Sequence, residues 1–388
     1  MTEDEFTELK MLRQTLHRYP EPSSSEFRTA DRLKKYLTEH APPDEIVELA
    51  GAGFAVVYCG TGSGSTVLFR AELDALPIQE VNSELPHRSE ISNVSHKCGH
   101  DGHMSILAGL ARTLSRERPS SGRVVLLFQP DEETGKGARE CCEHYNFARI
   151  RPDYAFALHN FPGFSKHAIL CRTGVFMSAV RCMVIKFFGK DAHAAMPETG
   201  TSPAPAIAQL TQVASEIQYS FDKPDERALI VPVTLKMGID HDGKALGSGI
   251  SPGFGEAHFT LRSPQNDILD EMWRLFVAKA EELAARHKLS ITFDAIEHFS
   301  ASINDERAVS AIKQAAIQNG LAYTALATPF PAGEDFGEIT RRYTGAMFGL
   351  GSGENCADLH NPDYDFPDDL IPTGVQMFKS LIDLCLSN

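Results

Sequence analysis

Apolar residues recur every three to four positions at the start of the chain, at Phe6, Leu9, Leu12 and Leu16. They do so again at Ala30, Leu33 and Leu37, after a Ser-rich turn at 23–25. That period predicts two amphipathic helices. Two short β-type runs follow, Phe54-Ala55-Val56-Val57-Tyr58 and Thr66-Val67-Leu68-Phe69, separated by Gly60-Thr61-Gly62-Ser63-Gly64. A phosphate-cradling glycine loop lies between a strand and a helix, whereas here a strand follows, so the segment is expected to be a hairpin turn.

Strand-like and helix-like runs then alternate: a helix over 105–115, a strand over 124–128, a helix over 137–145 and a strand over 154–158. This order predicts an α/β layer with a mostly parallel sheet, in which ligands gather at the carboxyl ends of strands. Glu132, Glu133 and His159 are expected just past those ends. From 178 the rhythm changes to strand (180–188), helix (204–219), strands (229–236 and 255–261), helix (269–286) and strand (290–295). Such a βαββαβ block is a complete unit in itself. The expected fold class is therefore α/β with two domains: a discontinuous first domain of 1–177 and 296–388, and an inserted second domain of 178–295. No repeat or low-complexity tract interrupts this plan.

The length of 388 residues suits two cores, and 42% hydrophobic with 23% charged residues is an ordinary folded composition. A formal net charge of −15 disfavours nucleic acid and anionic membrane surfaces, which are bound by clustered Lys and Arg. The acidic start, Met1-Thr2-Glu3-Asp4-Glu5-Phe6, is unlike a secretory signal, and no run approaches the roughly 18 apolar residues of a membrane span. A cytoplasmic address is expected, with the eight scattered cysteines reduced.

Candidate chemistry concentrates in His96-Lys97-Cys98-Gly99-His100-Asp101-Gly102-His103. Cys98 and His100 flank one glycine, so a thiolate and an imidazole can converge on one ion. Phe128-Gln129-Pro130-Asp131-Glu132-Glu133 places carboxylates after a very apolar run. In a turning backbone neighbouring side chains point apart, so one glutamate can ligate while the other takes a proton from water. His159 and His360 stand in matching settings, Leu158-His159-Asn160 and Leu359-His360-Asn361. Any one of these is more simply read as structural, but together they supply donors for two ions. A single structural zinc needs only four donors and leaves a glutamate over.

At this point the chain resembles the M20 metallopeptidase and amidohydrolase family, in the branch of N-acyl-L-amino acid amidohydrolases, hippurate hydrolases and auxin-conjugate hydrolases. The resemblance is carried by Arg70-Ala71-Glu72-Leu73-Asp74-Ala75-Leu76-Pro77-Ile78-Gln79-Glu80, Cys98-Gly99-His100-Asp101-Gly102-His103, Phe128-Gln129-Pro130 with the Glu pair, Gly189-Lys190-Asp191-Ala192-His193-Ala194-Ala195-Met196-Pro197, Gly333-Glu334-Asp335-Phe336 and Leu359-His360-Asn361-Pro362. It implies Cys98, His100, Glu133, His159 and His360 as ligands of two divalent ions, zinc or manganese, with nickel or cobalt as alternatives. It implies Glu132 as general base and acid, and Asp74 as a carboxylate that orients the site. His193 is implied as donor to the oxyanion and Arg262 as partner of a substrate carboxylate. His96, Asp101 and His103 are left as support. The inserted domain resembles the family's lid, which also pairs two chains into a homodimer. Three positions depart from the usual family pattern: Glu72 for Asp, Gly249 for Asn and Gly333 for Ser.

The expected activity is hydrolysis of an N-acyl amino acid to a carboxylate and a free amino acid. The alternatives are a dipeptidase or aminopeptidase on the same site, a hydrolase with Cys98 as nucleophile, and a binding or scaffold protein with an inert metal site.

Overall fold

The computed structural model describes residues 1–224 and 226–386. In chain order its elements begin with α1 (Glu3–Arg18), α2 (Phe27–His40), β1 (Glu45–Glu48), β2 (Phe54–Cys59), β3 (Thr66–Glu72), α3 (His100–Arg116), β4 (Arg123–Gln129), α4 (Gly137–Glu143), β5 (Tyr154–Pro162), β6 (Ile169–Cys171) and β7 (Gly174–Met177). There follow β8 (Ala179–Phe188), β9 (Ala192–His193), α5 (Ala204–Phe221), β10 (Leu229–Met237), β11 (Ile250–Ser251), β12 (Phe254–Ser263), α6 (Asn266–Arg286) and β13 (Ser290–Phe299). The chain ends with β14 (Ser302–Asn304), α7 (Glu306–Gln318), β15 (Tyr323–Ala325), α8 (Gly337–Thr340), β16 (Thr344–Gly353) and α9 (Leu370–Leu386). Two compact units result, one of 1–176, 302–329 and 334 onward, the other of 177–301 and 330–333.

The first unit is built on an eight-stranded sheet in the order β1-β2-β4-β3-β5-β16-β6-β15. Its centre, β4-β3-β5-β16, is parallel throughout. Strands in such a centre are covered on both faces, which explains the unbroken apolar runs Val124–Phe128 and Val67–Phe69, all buried. The glycine segment 60–64 is not a hairpin turn, because β4 lies between β2 and β3 and pairs with both. It is a connection laid against the loop before β4, with Gly60 N–H bonded to Gly122 O at 2.8 Å.

α1 starts from a capping box between Thr2 and Glu5, a device that contributes about 1 kcal/mol, and it buries Leu9, Leu12 and Leu16. α3 begins five residues earlier than its apolar pattern suggests. Its first turn carries His100, Asp101 and His103, all buried, so the helix starts inside the candidate chemistry. Gly102 lies under the ring of Phe366, where a Cβ would stand 2.5 Å from ring carbons, so this turn packs closely only as glycine. The strand expected to end before His159 continues to Pro162, placing His159 inside β5, in register with Gly349 of β16.

The second unit is a four-stranded antiparallel sheet, β10-β12-β8-β13, with α5 and α6 against it. In β12 residues alternate between buried and half-buried along the whole strand, as a sheet covered on one face requires. A small ladder pairs β9 with β11 and sets His193 opposite Ile250. β13 runs through Phe299, beyond the expected end at 295.

Candidate metal centre

In the first unit, segments after the carboxyl ends of β3 and β4 and the later part of β5 bring the candidate donors together. Asp74 follows β3, Glu132 and Glu133 follow β4, His159 lies in β5, and Cys98 precedes α3. Gly99 adopts φ +96°, and a side chain there would collide with Asn160, whose Oδ1 lies 2.5 Å from the Cβ position. The turn from Cys98 to His100 is thereby possible only with glycine between the two donors.

Hydrogen bonds fix which nitrogen each imidazole offers. His100 Nδ1–H donates to Asp74 O at 2.9 Å, and His159 Nδ1–H donates to Asn160 O at 2.9 Å. Their Nε2 lone pairs are left for a ligand. His159 Nε2 lies 3.4 Å from Cys98 Sγ, while His100 Nε2 lies 4.0 Å from Glu132 Oε2 and 3.9 Å from Glu133 Oε1. His360, half-exposed and at φ +65°, brings Nε2 to 3.8 Å from Glu133 Oε1. Donor atoms of Cys98, His100 and His159 lie within 4.8 Å of one another, and so do those of Cys98, Glu133 and His360. Two triads sharing a thiolate suit two nearby cations.

Two donors in this group, His100 Nε2 and Glu133 Oε1, are buried without a hydrogen-bond partner, a costly arrangement for polar atoms unless a cation takes them. The donor set of thiolate, imidazole and carboxylate fits zinc or manganese. The protein charges alone leave this centre holding protons. Burial opposes charge on His100, but Asp74, Glu72 and Glu133 outweigh it and push the imidazole up to about 10. Burial and Asp74 push Glu133 up to about 7 against the pull of His100. Burial, Glu334, Glu133 and Asp335 hold the Glu132 carboxyl well above the usual range, as a group that stores and returns a proton requires. Burial and the neighbouring carboxylates also raise the Cys98 thiol. An activated nucleophilic cysteine needs the opposite shift, so this environment favours a thiolate only with a cation against it.

Asp74 is fully buried and works through its neighbours. Its Oδ2 accepts from Glu133 N–H at 2.9 Å and from Ser23 Oγ–H at 2.7 Å, while its carbonyl holds His100. His103 lies between Glu72 Oε2 and Asn160 Oδ1, each at 2.6 Å, and Asn160 donates on to Tyr364 Oη at 2.6 Å. Asp101 faces α1. His96 is buried with neither ring nitrogen bonded, and burial pushes it down to about 3, so it is a neutral filler.

Sequence reasoning passed over Arg70 as a site residue. Its buried guanidinium contacts Glu72, donates to Gln129 Oε1 at 2.8 Å and to Asp335 Oδ1 at 2.5 Å, and lies 2.8 Å from Glu334 Oε1. Asp335 N–H in turn reaches Glu132 Oε1 at 3.4 Å. The signal available was an arginine inside an apolar strand pattern, followed by two acids in Glu334-Asp335. The longer Glu72 side chain is accommodated here, shared between Arg70 and His103.

His193 and Arg262 belong to the second unit. His193 is exposed, and its Nδ1 accepts from Ala195 N–H at 3.0 Å, which leaves Nε2–H as a donor. Arg262 is half-buried near the end of β12 and donates from Nη1 to Pro331 O at 2.7 Å. Gly249 has open space where a side chain would stand, whereas a Cβ on Gly333 would meet the Phe299 ring at 2.9 Å.

A mostly parallel sheet that brings a thiolate, imidazoles and carboxylates together as candidate metal donors is what a metallopeptidase-type hydrolase presents. The chain is a member of peptidase family M20/M25/M40, whose model matches residues 68–384. It is 30% identical over 379 residues to the N-acetyl-L-cysteine deacetylase of Bacillus subtilis, covering 97% of this chain and 88% of that protein. It is 26% identical to the N-acetyldiaminopimelate deacetylase of Leuconostoc mesenteroides, covering 98% of each. Among solved structures, the YXEP protein of Bacillus subtilis, described as a dinuclear metal binding peptidase from the M20 family, superposes with a TM-score of 0.79 at 25% identity, over 100% of this chain and 99% of that one.

Proposed function

We propose that this chain hydrolyses the amide bond of N-acyl amino acids, R-CO-NH-CHR'-COO⁻, releasing a carboxylate and a free amino acid, with two divalent metal ions as cofactors. The observation that carries the reading is the convergence of five donors, Cys98, His100, Glu133, His159 and His360, beside a further buried carboxyl, Glu132, that no ligand role requires. The relatives named above are deacetylases of N-acetyl-L-cysteine and N-acetyldiaminopimelate, which supports an acyl amino acid substrate.

When bound, the ions supply Lewis-acid polarisation of the amide carbonyl and acidify water towards neutrality. Glu132 takes the proton from the attacking water and delivers it to the amine nitrogen as the C–N bond breaks, so one carboxyl serves as base and then acid. Asp74 keeps His100 and Glu133 in register through its carbonyl and Oδ2. His193 donates Nε2–H to the oxyanion, and Arg262 pairs with the substrate carboxylate. The thiolate of Cys98 favours zinc.

The inserted unit serves as lid and as the pairing surface of a homodimer. β10 is an edge strand, and it exposes Val231 (43%), Val233 (63%), Leu235 (51%) and Met237 (43%). An apolar open edge calls for a cover, and a second copy related by a twofold axis supplies one by antiparallel pairing. All eight cysteines are unpaired, which suits a reducing cytoplasm. No helix among the described residues is long and apolar enough to cross a membrane.

The test is a metal count on purified protein combined with amino acid release from a panel of N-acetyl, N-benzoyl and indole-acyl amino acids, with free dipeptides alongside. Close to two ions per chain and chelator-sensitive release from acyl amino acids are expected. Full activity without metal sinks the reading, and preference for free dipeptides moves the activity to the peptidase alternative.

A further inference from the structure

The turn that presents Cys98 and His100 is bracketed by two charged residues, Lys97 and Asp101, neither of which is a ligand. Both side chains are fully buried, where a charge is tolerated only if paired. Lys97 Nζ donates to Glu80 Oε1 at 2.5 Å and to Tyr364 O at 2.7 Å. The same Glu80 oxygen lies 3.1 Å from His17 Nε2, and His17 Nδ1 lies 2.8 Å from Asp101 Oδ2. Lys97, Glu80, His17 and Asp101 therefore close a ring of charge-assisted bonds across the two ends of the turn.

Arg13, one turn before His17 on α1, ties that ring to the segment after His360. Its Nη1 reaches Asp101 Oδ2 at 3.3 Å and Asp365 Oδ1 at 2.6 Å, and its Nε donates to Asp368 Oδ1 at 2.8 Å. Nη2 lies 3.1 Å from His87 Nε2, which completes the fork. The backbone repeats the connection, since His360 N–H donates to Lys97 O at 2.8 Å. Positions of Cys98, His100 and His360 thus depend on one buried cluster.

Core packing does not explain Arg13 and His17. α1 already buries Leu9, Leu12 and Leu16, and apolar side chains at 13 and 17 would extend that stripe without the desolvation that a buried guanidinium and imidazole incur. Both residues also precede the span matched by the family model, which starts at 68.

We propose that Arg13 and His17 are positioning residues of the reaction, holding Asp101 and Lys97 so that the Cys98–His100 turn is preorganised for metal. The proposal rests on the reading of Cys98 and His100 as ligands. Removing groups that orient ligands typically weakens metal binding by about 10–100-fold.

The experiment compares the parent with His17→Gln, Arg13→Lys, Arg13→Met, Cys98→Ser and the surface control Met11→Ala. It reads Kd for Zn²⁺ by chelator competition, kcat and KM at saturating Zn²⁺, and unfolding midpoints of Zn²⁺-loaded and EDTA-treated protein. His17→Gln and Arg13→Met are expected to raise Kd by about 10–100-fold, to lower kcat with little change in KM, and to shrink the midpoint gain on Zn²⁺ addition. Arg13→Lys keeps the charge but loses the fork, and should recover part of the affinity. Met11→Ala should match the parent. If Arg13→Met fails to fold, His17→Gln and Arg13→Lys still decide. Parent-like Kd, kcat and midpoint gain in those two variants, with the EDTA-treated form destabilised, overturns the proposal and leaves α1 merely structural. Cys98→Ser separates the two layers: if it weakens Zn²⁺ binding and His17→Gln does not, only this proposal fails, whereas Zn²⁺ affinity untouched by Cys98→Ser removes the ligand reading itself.

Discussion

The candidate groups of the two units are held in opposite ways. In the first unit every candidate ligand except His360 is largely buried, and Asp74 behind them makes three contacts, with Ser23, His100 and Glu133. In the second unit His193 is exposed and Arg262 half-buried, and each is oriented by one backbone bond. The first arrangement is preorganised, with desolvation already incurred on folding. The second leaves donors in water until something faces them, so their contribution must come from substrate or from the complementary charge that meets them.

This contrast predicts where a substitution harms chemistry, where it harms folding and where it harms neither. The largest effect is expected at Glu132. Glu132→Gln keeps the shape and the metal but cannot cycle a proton, so kcat should fall by about 10²–10⁴-fold with two ions still bound. Loss of metal in that variant would make Glu132 a ligand instead. Next comes Arg70→Met, which leaves Glu72, Glu334 and Asp335 without their shared cation. Removing one side of a buried ionic cluster typically costs about 3–5 kcal/mol, which denaturant unfolding would register directly. A shift under about 1 kcal/mol would mean that the carboxyls simply take up protons.

His193→Ala should separate the units cleanly. An exposed side chain has little to lose in folding, so stability should move by no more than about 0.5 kcal/mol. Loss of an oxyanion donor costs about 10²–10³-fold in kcat. Unchanged kcat would weaken the comparison, because His193 would then hold no part of the chemistry and Arg262 alone would tie the second unit to the reaction.

A smaller effect follows from protons in the first unit. Ligands bind metal only when deprotonated, and His100 is pushed up to about 10 and Glu133 up to about 7. Raised pKa values mean that protons are held until the pH passes them, so each must be displaced by the cation below its pKa. Metal affinity should therefore rise with pH between about 7 and 10, by about tenfold per unit for each of the two protons displaced, from His100 and from the raised Cys98 thiol, and fall more steeply below about 7 as Glu133 also protonates. Isothermal titration with Zn²⁺ across that range measures the slope, and a flat profile would contradict the charge balance around His100.

The same contrast explains what could be read from the chain. The apolar runs of β4 and β5, the alternation of the inserted unit and the clustering of Cys98, His100, Glu132 and Glu133 are local in sequence, and periodicity or spacing reveals them. Arg70, Asp335, Arg13 and His17 act through partners far away in the chain, and no spacing rule links residue 70 with 335 or 13 with 101. A trace was present, since Arg13 and His17 follow Leu9 at four-residue steps and so fall on the buried stripe of α1. The segment 60–64 was misread for a related reason: hairpin and split connections look alike locally, and only the pairing of β4 with both neighbours distinguishes them. The extension of α3 to His100 was hidden because its first turn is polar yet buried, against the usual sense of an amphipathic start.

An equally small change in fold stability is expected at the open edge of the second unit. Leu235→Lys places a charge on an exposed strand position, so the isolated chain should lose no more than about 0.5 kcal/mol. If β10 pairs with its own copy, each partner brings that charge into the shared apolar edge and the dimer should dissociate, which sedimentation at several concentrations would detect. Metal content should stay at two ions per chain, because the donors all lie in the first unit. Activity then becomes informative in a way that association alone is not. A fully active monomer would confine the chemistry to one chain, and an inactive monomer with intact metal would mean that the exposed donors of the second unit need the partner copy to set their surroundings.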